Sequence, residues 1–113
     1  MTSREEAIQA VMSFDQPIEA LYARFHGVDY DWAGEPLGVL TREHVVSVLR
    51  RWRRGELSDQ DVEDWADLVE LRDDLDHDPN DEAVAAAIFT LANPVLQGPL
   101  SEQGLRLLKS LQA

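Results

Sequence analysis

Carboxylates dominate the groups in this sequence that could do chemistry. Between Glu56 and Glu82 there are 13 acidic residues and a single strong base, Arg72. Asp73, Asp74, Asp76, Asp78, Asp81 and Glu82 are hard oxygen ligands suited to calcium or magnesium. Read as an EF-hand from Asp74, the loop puts Asp76 and Asp78 at the third and fifth positions. The pattern then fails, because Pro79 stands where glycine makes the turn and Ala85 where a bidentate glutamate closes the site. A second arrangement is a ladder of Glu63, Asp67, Glu70 and Asp74, three or four residues apart and so on one helix face. Such a ladder could hold magnesium in a helical bundle if a facing helix supplied matching acids. The neighbouring helices offer only Glu43 and Glu82. A metal-dependent enzyme or sensor using the carboxylates of residues 63–82 is thus the alternative reading, and a solvated acidic face is the simpler one. Neither a metal site nor a cofactor is expected.

Other catalytic constellations are thinner. His26, His44 and His77 fall on three segments, and no two have the i, i+4 spacing of a helical zinc site. Ser47, His44 and a nearby acid could be drawn as a triad, but no glycine-flanked nucleophile turn accompanies them. There is no glycine-rich phosphate loop. The chain has no cysteine, which excludes disulfides, thiolate metal sites and thiol nucleophiles. No catalytic residue is assigned.

What remains is charge and its layout. The formal net charge is −12, which disfavours nucleic acid and anionic membrane surfaces as general ligands. Arg50, Arg51, Arg53 and Arg54 form a basic knot just before the acidic stretch. Cations in the last turn of a helix complement its dipole, which explains the knot without a ligand. Arg51 and Arg54 could also pair with acids of the following helix. The acids Asp59, Glu63, Asp67 and Glu70, with Asp73 and Asp74 at the helix exit, are the expected contact set for a basic protein partner, because complementary potentials speed encounter and select partners. An immunity protein or antitoxin that blocks a cationic toxin belongs to this class. A homo-oligomer is a third option that the sequence leaves open.

The elements that position these groups are helices. With 44% hydrophobic residues in 113, the chain reads as one domain, residues 1–113, able to bury a core. Ser3 with Glu6 makes a capping box for a helix over about 4–13. Asp15 is the expected N-cap of a second helix carrying Ile18, Leu21, Tyr22 and Phe25, closed by Gly27. Residues 28–40 show no helical period and read as an ordered loop. Thr41 caps a third helix with the stripe Val45, Val48, Leu49 and Trp52, stopped by Gly55. Ser58 and Asp61 make a capping box for a fourth, about 59–72, that buries Val62, Trp65, Ala66 and Val69 and exposes Glu63, Asp67 and Glu70.

The short link between these two helices predicts an antiparallel hairpin packed through Val45, Leu49, Trp52, Val62, Trp65 and Val69. Residues 73–80 read as a polar loop. An alanine-rich fifth helix starts at Asp78-Pro79 or Asn80 and ends at Asn93-Pro94. Ser101 caps a last helix with Leu105, Leu108 and Leu111 on one side. Leu40 with Val45, Leu57 with Val62 and Leu100 with Leu105 are spaced as hydrophobic staples. The expected fold is all-α, a compact bundle of five to six short helices, with no strand of period-two alternation. The N-terminus lacks the apolar core of a signal peptide, and the run Ala83 to Phe89 is too short to span a bilayer, so a cytoplasmic location is expected.

The stretches Gly55-Glu56-Leu57-Ser58, Val62-Glu63-Asp64-Trp65-Ala66 and Arg72-Asp73-Asp74, with Ala92-Asn93-Pro94 and Gly98-Pro99-Leu100, resemble a pattern in a group of small, largely uncharacterised bacterial all-α proteins. The resemblance covers residues 40–105. It implies a bacterial origin and a helical fold, and it transfers no site residue.

Overall fold

The computed structural model describes residues 4–24, 38–71, 75–77 and 81–112. Its elements in chain order are α1 (Arg4–Ser13), α2 (Ile18–Arg24), β1 (Gly38–Leu40), α3 (Arg42–Arg53), α4 (Asp59–Leu71), β2 (Leu75–His77), α5 (Glu82–Ala92), α6 (Pro94–Gln97) and α7 (Leu100–Gln112). The fold is all-α, with a two-stranded parallel ribbon as its only described sheet. That ribbon sits where loops were expected: Gly38 pairs with Leu75, Val39 with Asp76 and Leu40 with His77. Three residues are too few for an alternating pattern to stand out, and β1 opens on glycine, a residue depleted in strands. Glycine is required there by packing. A Cβ at Gly38 would lie 2.7 Å from both Ile8 Cγ2 and Met12 Cε of α1.

One buried cluster unites the elements. Ile8, Val11, Phe14, Leu21, Leu40, Val45, Leu49, Val62, Trp65 and Val84 are its largest sealed members. Trp65 is its pivot: Nε1 donates to the Val11 carbonyl at 2.6 Å, and the ring stacks on Phe14 with centroids 6.1 Å apart. Phe14 has φ 48, a left-handed conformation that costs a non-glycine residue roughly 1–2 kcal/mol. It closes α1 in a Schellman turn, with the Phe14 amide donating to Val11 and the Asp15 amide to Ala10. Arg51 holds this turn from outside, donating to the Phe14 carbonyl at 2.7 Å and lying over its ring. The same turn recurs at the end of α3, where Gly55 (φ 82) takes the left-handed position.

Caps behave as their residue types dictate. Ser58 Oγ accepts the Asp61 amide at 3.0 Å while Asp61 Oδ2 accepts the Ser58 amide at 2.9 Å. At Thr41 the reciprocal partner is His44, whose Nδ1 accepts the Thr41 amide at 2.9 Å. Three expected helix starts shift; α5 is capped at Asp81, and Asp78, Pro79 and Asn80, expected to start it, lie outside the described residues. The first carbonyl of α2 to accept helix amides belongs to Pro17, not Asp15, and that of α7 belongs to Pro99, so Ser101 lies inside the first turn. Ser3, Phe25 and Gly27 lie outside the described residues. The α5 cap is Asp81, gripped by Arg42 through Nε at 2.5 Å and through a second bond at 3.0 Å.

α3 and α4 touch, as the short link between them requires, but neither is the other's main partner. α4 makes its broadest contact with α5, and α3 packs chiefly on α7. Alanines on α5, with Ala87 fully buried, let α4 approach closely. Trp52 turns to α7: a Cβ on Gly104 would sit 2.5 Å from its Cζ3. Of the expected α7 stripe, Leu108 and Leu111 are buried, together with Leu100 and Gly104, while Leu105 is 49% exposed. None of the described helices is long and apolar enough to cross a membrane.

Candidate functional site

The acidic face of α4 follows from its helical period. Val62, Trp65, Ala66, Leu68 and Val69 take the inner side, so Asp59, Glu63, Asp67 and Glu70 share the outer one. Their surroundings are unequal. Asp59 Oδ1 accepts from Trp52 Nε1 at 2.6 Å, which fixes the carboxylate across the α3–α4 link. Glu63 Oε2 and Asp64 Oδ1 both accept from the Gln60 amide, at 3.2 and 2.9 Å. Glu63 and Asp67, expected in the open, are half-buried, whereas Asp59 and Glu70 are exposed. Partial burial, and then the nearby Asp64 carboxylate, push the Asp67 carboxyl above the usual aspartate range. Asp73 and Asp74 lie outside the described residues.

Among the described residues, no cation pairs with any acid of α4. Ion pairs do form elsewhere, between Arg42 and Asp81 and between Arg54 and Glu56, the latter at 2.8 Å. α4 carries no base of its own to relieve the repulsion.

The N-terminal half of the acidic face borders a cleft of about 150 Å³. α4 supplies Asp59, Gln60 and Glu63; Thr90, Leu91 and Pro94 form the far wall; Gly98, Pro99, Leu100 and Gln103 close the end. Pro94 occupies the first turn of α6, where its missing amide costs nothing, and the Asn93 carbonyl accepts from Leu96 and Gln97. Gly98 then reverses the chain at φ 105. The cleft is smaller than the about 300–1,000 Å³ typical of small-molecule sites, and it is the size of a side chain rather than a cofactor.

Beside it the chain leaves apolar surface uncovered. Val95 is 96% exposed, Leu96 74% and Phe89 47%. Sequence reasoning missed this feature, although two adjacent apolar residues inside the proline- and glycine-flanked segment 94–99 were a visible signal.

Three members of the arginine knot are engaged by the structure, and Arg53 is exposed. Arg51 closes the α1 turn, Arg54 pairs with Glu56 rather than with an acid of α4, and Arg50 Nε donates over 3.1 Å to the Gln112 amide oxygen once that amide is oriented to receive it. With Arg42 held by Asp81, the open groove lined by Arg42, Arg50 and Arg54 has little unpaired charge to offer an anion.

Among the described residues, no group of three or more histidines and acids is placed to hold a metal ion, and much of the aspartate loop lies outside them. His44 spends Nδ1 on the Thr41 cap, and burial lowers its pKa. Ser47 is exposed on α3, without a hydrogen bond to His44. No protein-family model, curated protein or solved structure matches the chain.

Proposed function

We propose that this chain is a non-enzymatic, acidic protein-interaction domain that meets a basic surface on a partner protein through the outer face of α4. An immunity protein or antitoxin acting on a cationic toxin is the biological class that fits it. The observation carrying this reading is that the acids of α4 have no cationic partner among the described residues, although the sequence holds 10 lysines and arginines. Asp67 sharpens the point. Its ionised form is disfavoured by burial and by Asp64, so the free fold carries a charge that works against its own stability. A cation arriving from outside would relieve that cost.

The test uses a cationic protein that co-purifies with the chain or is encoded beside it. Charge reversal at Glu63, Asp67 and Glu70 to lysine should slow association tenfold or more while leaving the helical spectrum unchanged, since rim charges act mainly on association rate. An association rate equal to that of the unmodified chain would remove the α4 face from the interface.

A further inference from the structure

The acidic wall and the uncovered apolar residues are one sequence segment apart. Thr90, Leu91 and Pro94 face the cleft opposite Asp59 and Glu63. Phe89 precedes that run, and Val95 and Leu96 directly follow it, all three turned outward. α6 therefore presents a knuckle: one turn of helix, too short to bury its own side chains, pinned by Asn93 at its start and Gly98 at its end. Scattered exposed apolar residues are ordinary, but two on one turn beside a third differ from that background. A solvated acidic face needs no such neighbour.

We infer that the cleft and knuckle together dock a basic amphipathic helix of the partner, with a lysine or arginine entering the cleft between Asp59 and Glu63 and an apolar stripe resting on Val95, Leu96 and Phe89. This deepens the reading above and rests on it. Charge complementarity selects the occupant. The cleft's ionisable groups are Asp59 and Glu63 alone, so the polar side of the arriving helix is cationic. An apolar helix face laid into a groove beside it is a recurrent recognition mode. Asp59 is preorganised for the task, because Trp52 fixes it before the partner arrives, and preorganised groups lose less freedom on binding. A second copy of the chain is a poor occupant, since each copy brings a charge of −12, and an anionic membrane is repelled for the same reason.

The experiment titrates the full chain, labelled for amide NMR, with two synthetic peptides. One has leucines at helical spacing and lysines elsewhere; the other replaces every leucine with serine. The leucine–lysine peptide should shift the amides of Asp59, Glu63, Leu96 and Gly98 together and bind about tenfold tighter than the serine–lysine peptide, the equivalent of about 1.4 kcal/mol. In the V95S/L96S double variant, whose changes lie at exposed positions, the two peptides should bind alike. Equal binding of both peptides to the unmodified chain, with shifts confined to Glu63–Glu70, would overturn the composite site and leave the acidic-face reading standing. No binding of either would overturn both. Shifts at the knuckle that spare Asp59 and Glu63 would also overturn the composite. Sedimentation of the same samples covers the remaining occupant: a dimer that V95S/L96S abolishes would assign the knuckle to a second copy and overturn the proposal.

Discussion

Replacing Gly104 with alanine separates two effects of opposite sign, and the structure decides between them. In a helix interior, alanine is favoured over glycine by about 0.8–1.0 kcal/mol, so helix propensity alone predicts that G104A stabilises α7. Packing predicts the reverse. The new Cβ would lie 2.5 Å from Trp52 Cζ3, 2.6 Å from Cη2 and 3.2 Å from Leu100 Cδ1. Two of those distances are shorter than real Cβ contacts, so something must move. Trp52 is tied to Asp59 at its other edge, and moving the ring breaks that bond; moving α7 opens the core at Leu108 and Leu111. Overpacking of this kind costs about 1–3 kcal/mol. Subtracting the propensity gain leaves a net loss of about 1 kcal/mol, or about 4 °C in Tm for a domain of this size. Thermal melts of G104A alone, and of G104A combined with Trp52→Ala, check the reasoning. In the second background the obstruction is gone, and alanine should stabilise relative to glycine. If G104A raises Tm with Trp52 in place, the close α3–α7 contact is refuted.

Three further outcomes follow from other contacts. Trp65→Ala removes the Phe14 stack and the bond to the Val11 carbonyl and should cost about 3–5 kcal/mol in a denaturant titration; an unchanged curve would take Trp65 out of the core. His44 has its folded pKa lowered by burial, so the unfolded chain takes the proton first. The contribution of His44 to stability should therefore be complete above about pH 6.5 and be lost as pH drops through the folded value. A His44→Gln variant, which keeps an acceptor for the Thr41 amide, should lose that part of the pH dependence. Asp67 has its folded pKa raised, so the folded state holds its proton more tightly and stability declines as pH rises above about 4. Asp67→Asn should melt higher than the unmodified chain at pH 7, and the advantage should vanish in strong acid.

Much of this architecture was legible because it is local. The stripe from Val45 to Trp52, the Ser58–Asp61 capping box and the left-handed Gly55 each lie within one or two helical turns, and each stands where its residue type places it. What the period cannot say is which element a stripe faces. The stripe predicts that Trp52 faces α4, which its Nε1 does reach at Asp59, but its six-membered ring packs on Gly104 of α7, a glycine that no apolar pattern contains. An apolar pattern likewise counts Leu105 and passes over Gly104, although Gly104 is the buried one. The parallel ribbon escaped notice because its two strands are short and far apart in sequence. At the site, the outer face of α4 could be read from spacing. The far wall of the cleft comes from residues 90–103, and only the close approach of α4 and α5 brings it opposite Asp59 and Glu63.

In the proposed function, the acids of α4, which have no cationic partner among the described residues, steer a cationic protein onto this surface. Stopped-flow association of the unmodified chain with that partner, repeated from about 10 mM to about 1 M ionic strength, tests it most directly, because the screening length falls from about 30 Å to about 3 Å over that range. The account predicts an association rate constant that drops by a factor of ten or more across the series while the dissociation rate constant changes little. A flat association rate with a salt-sensitive dissociation rate would contradict it.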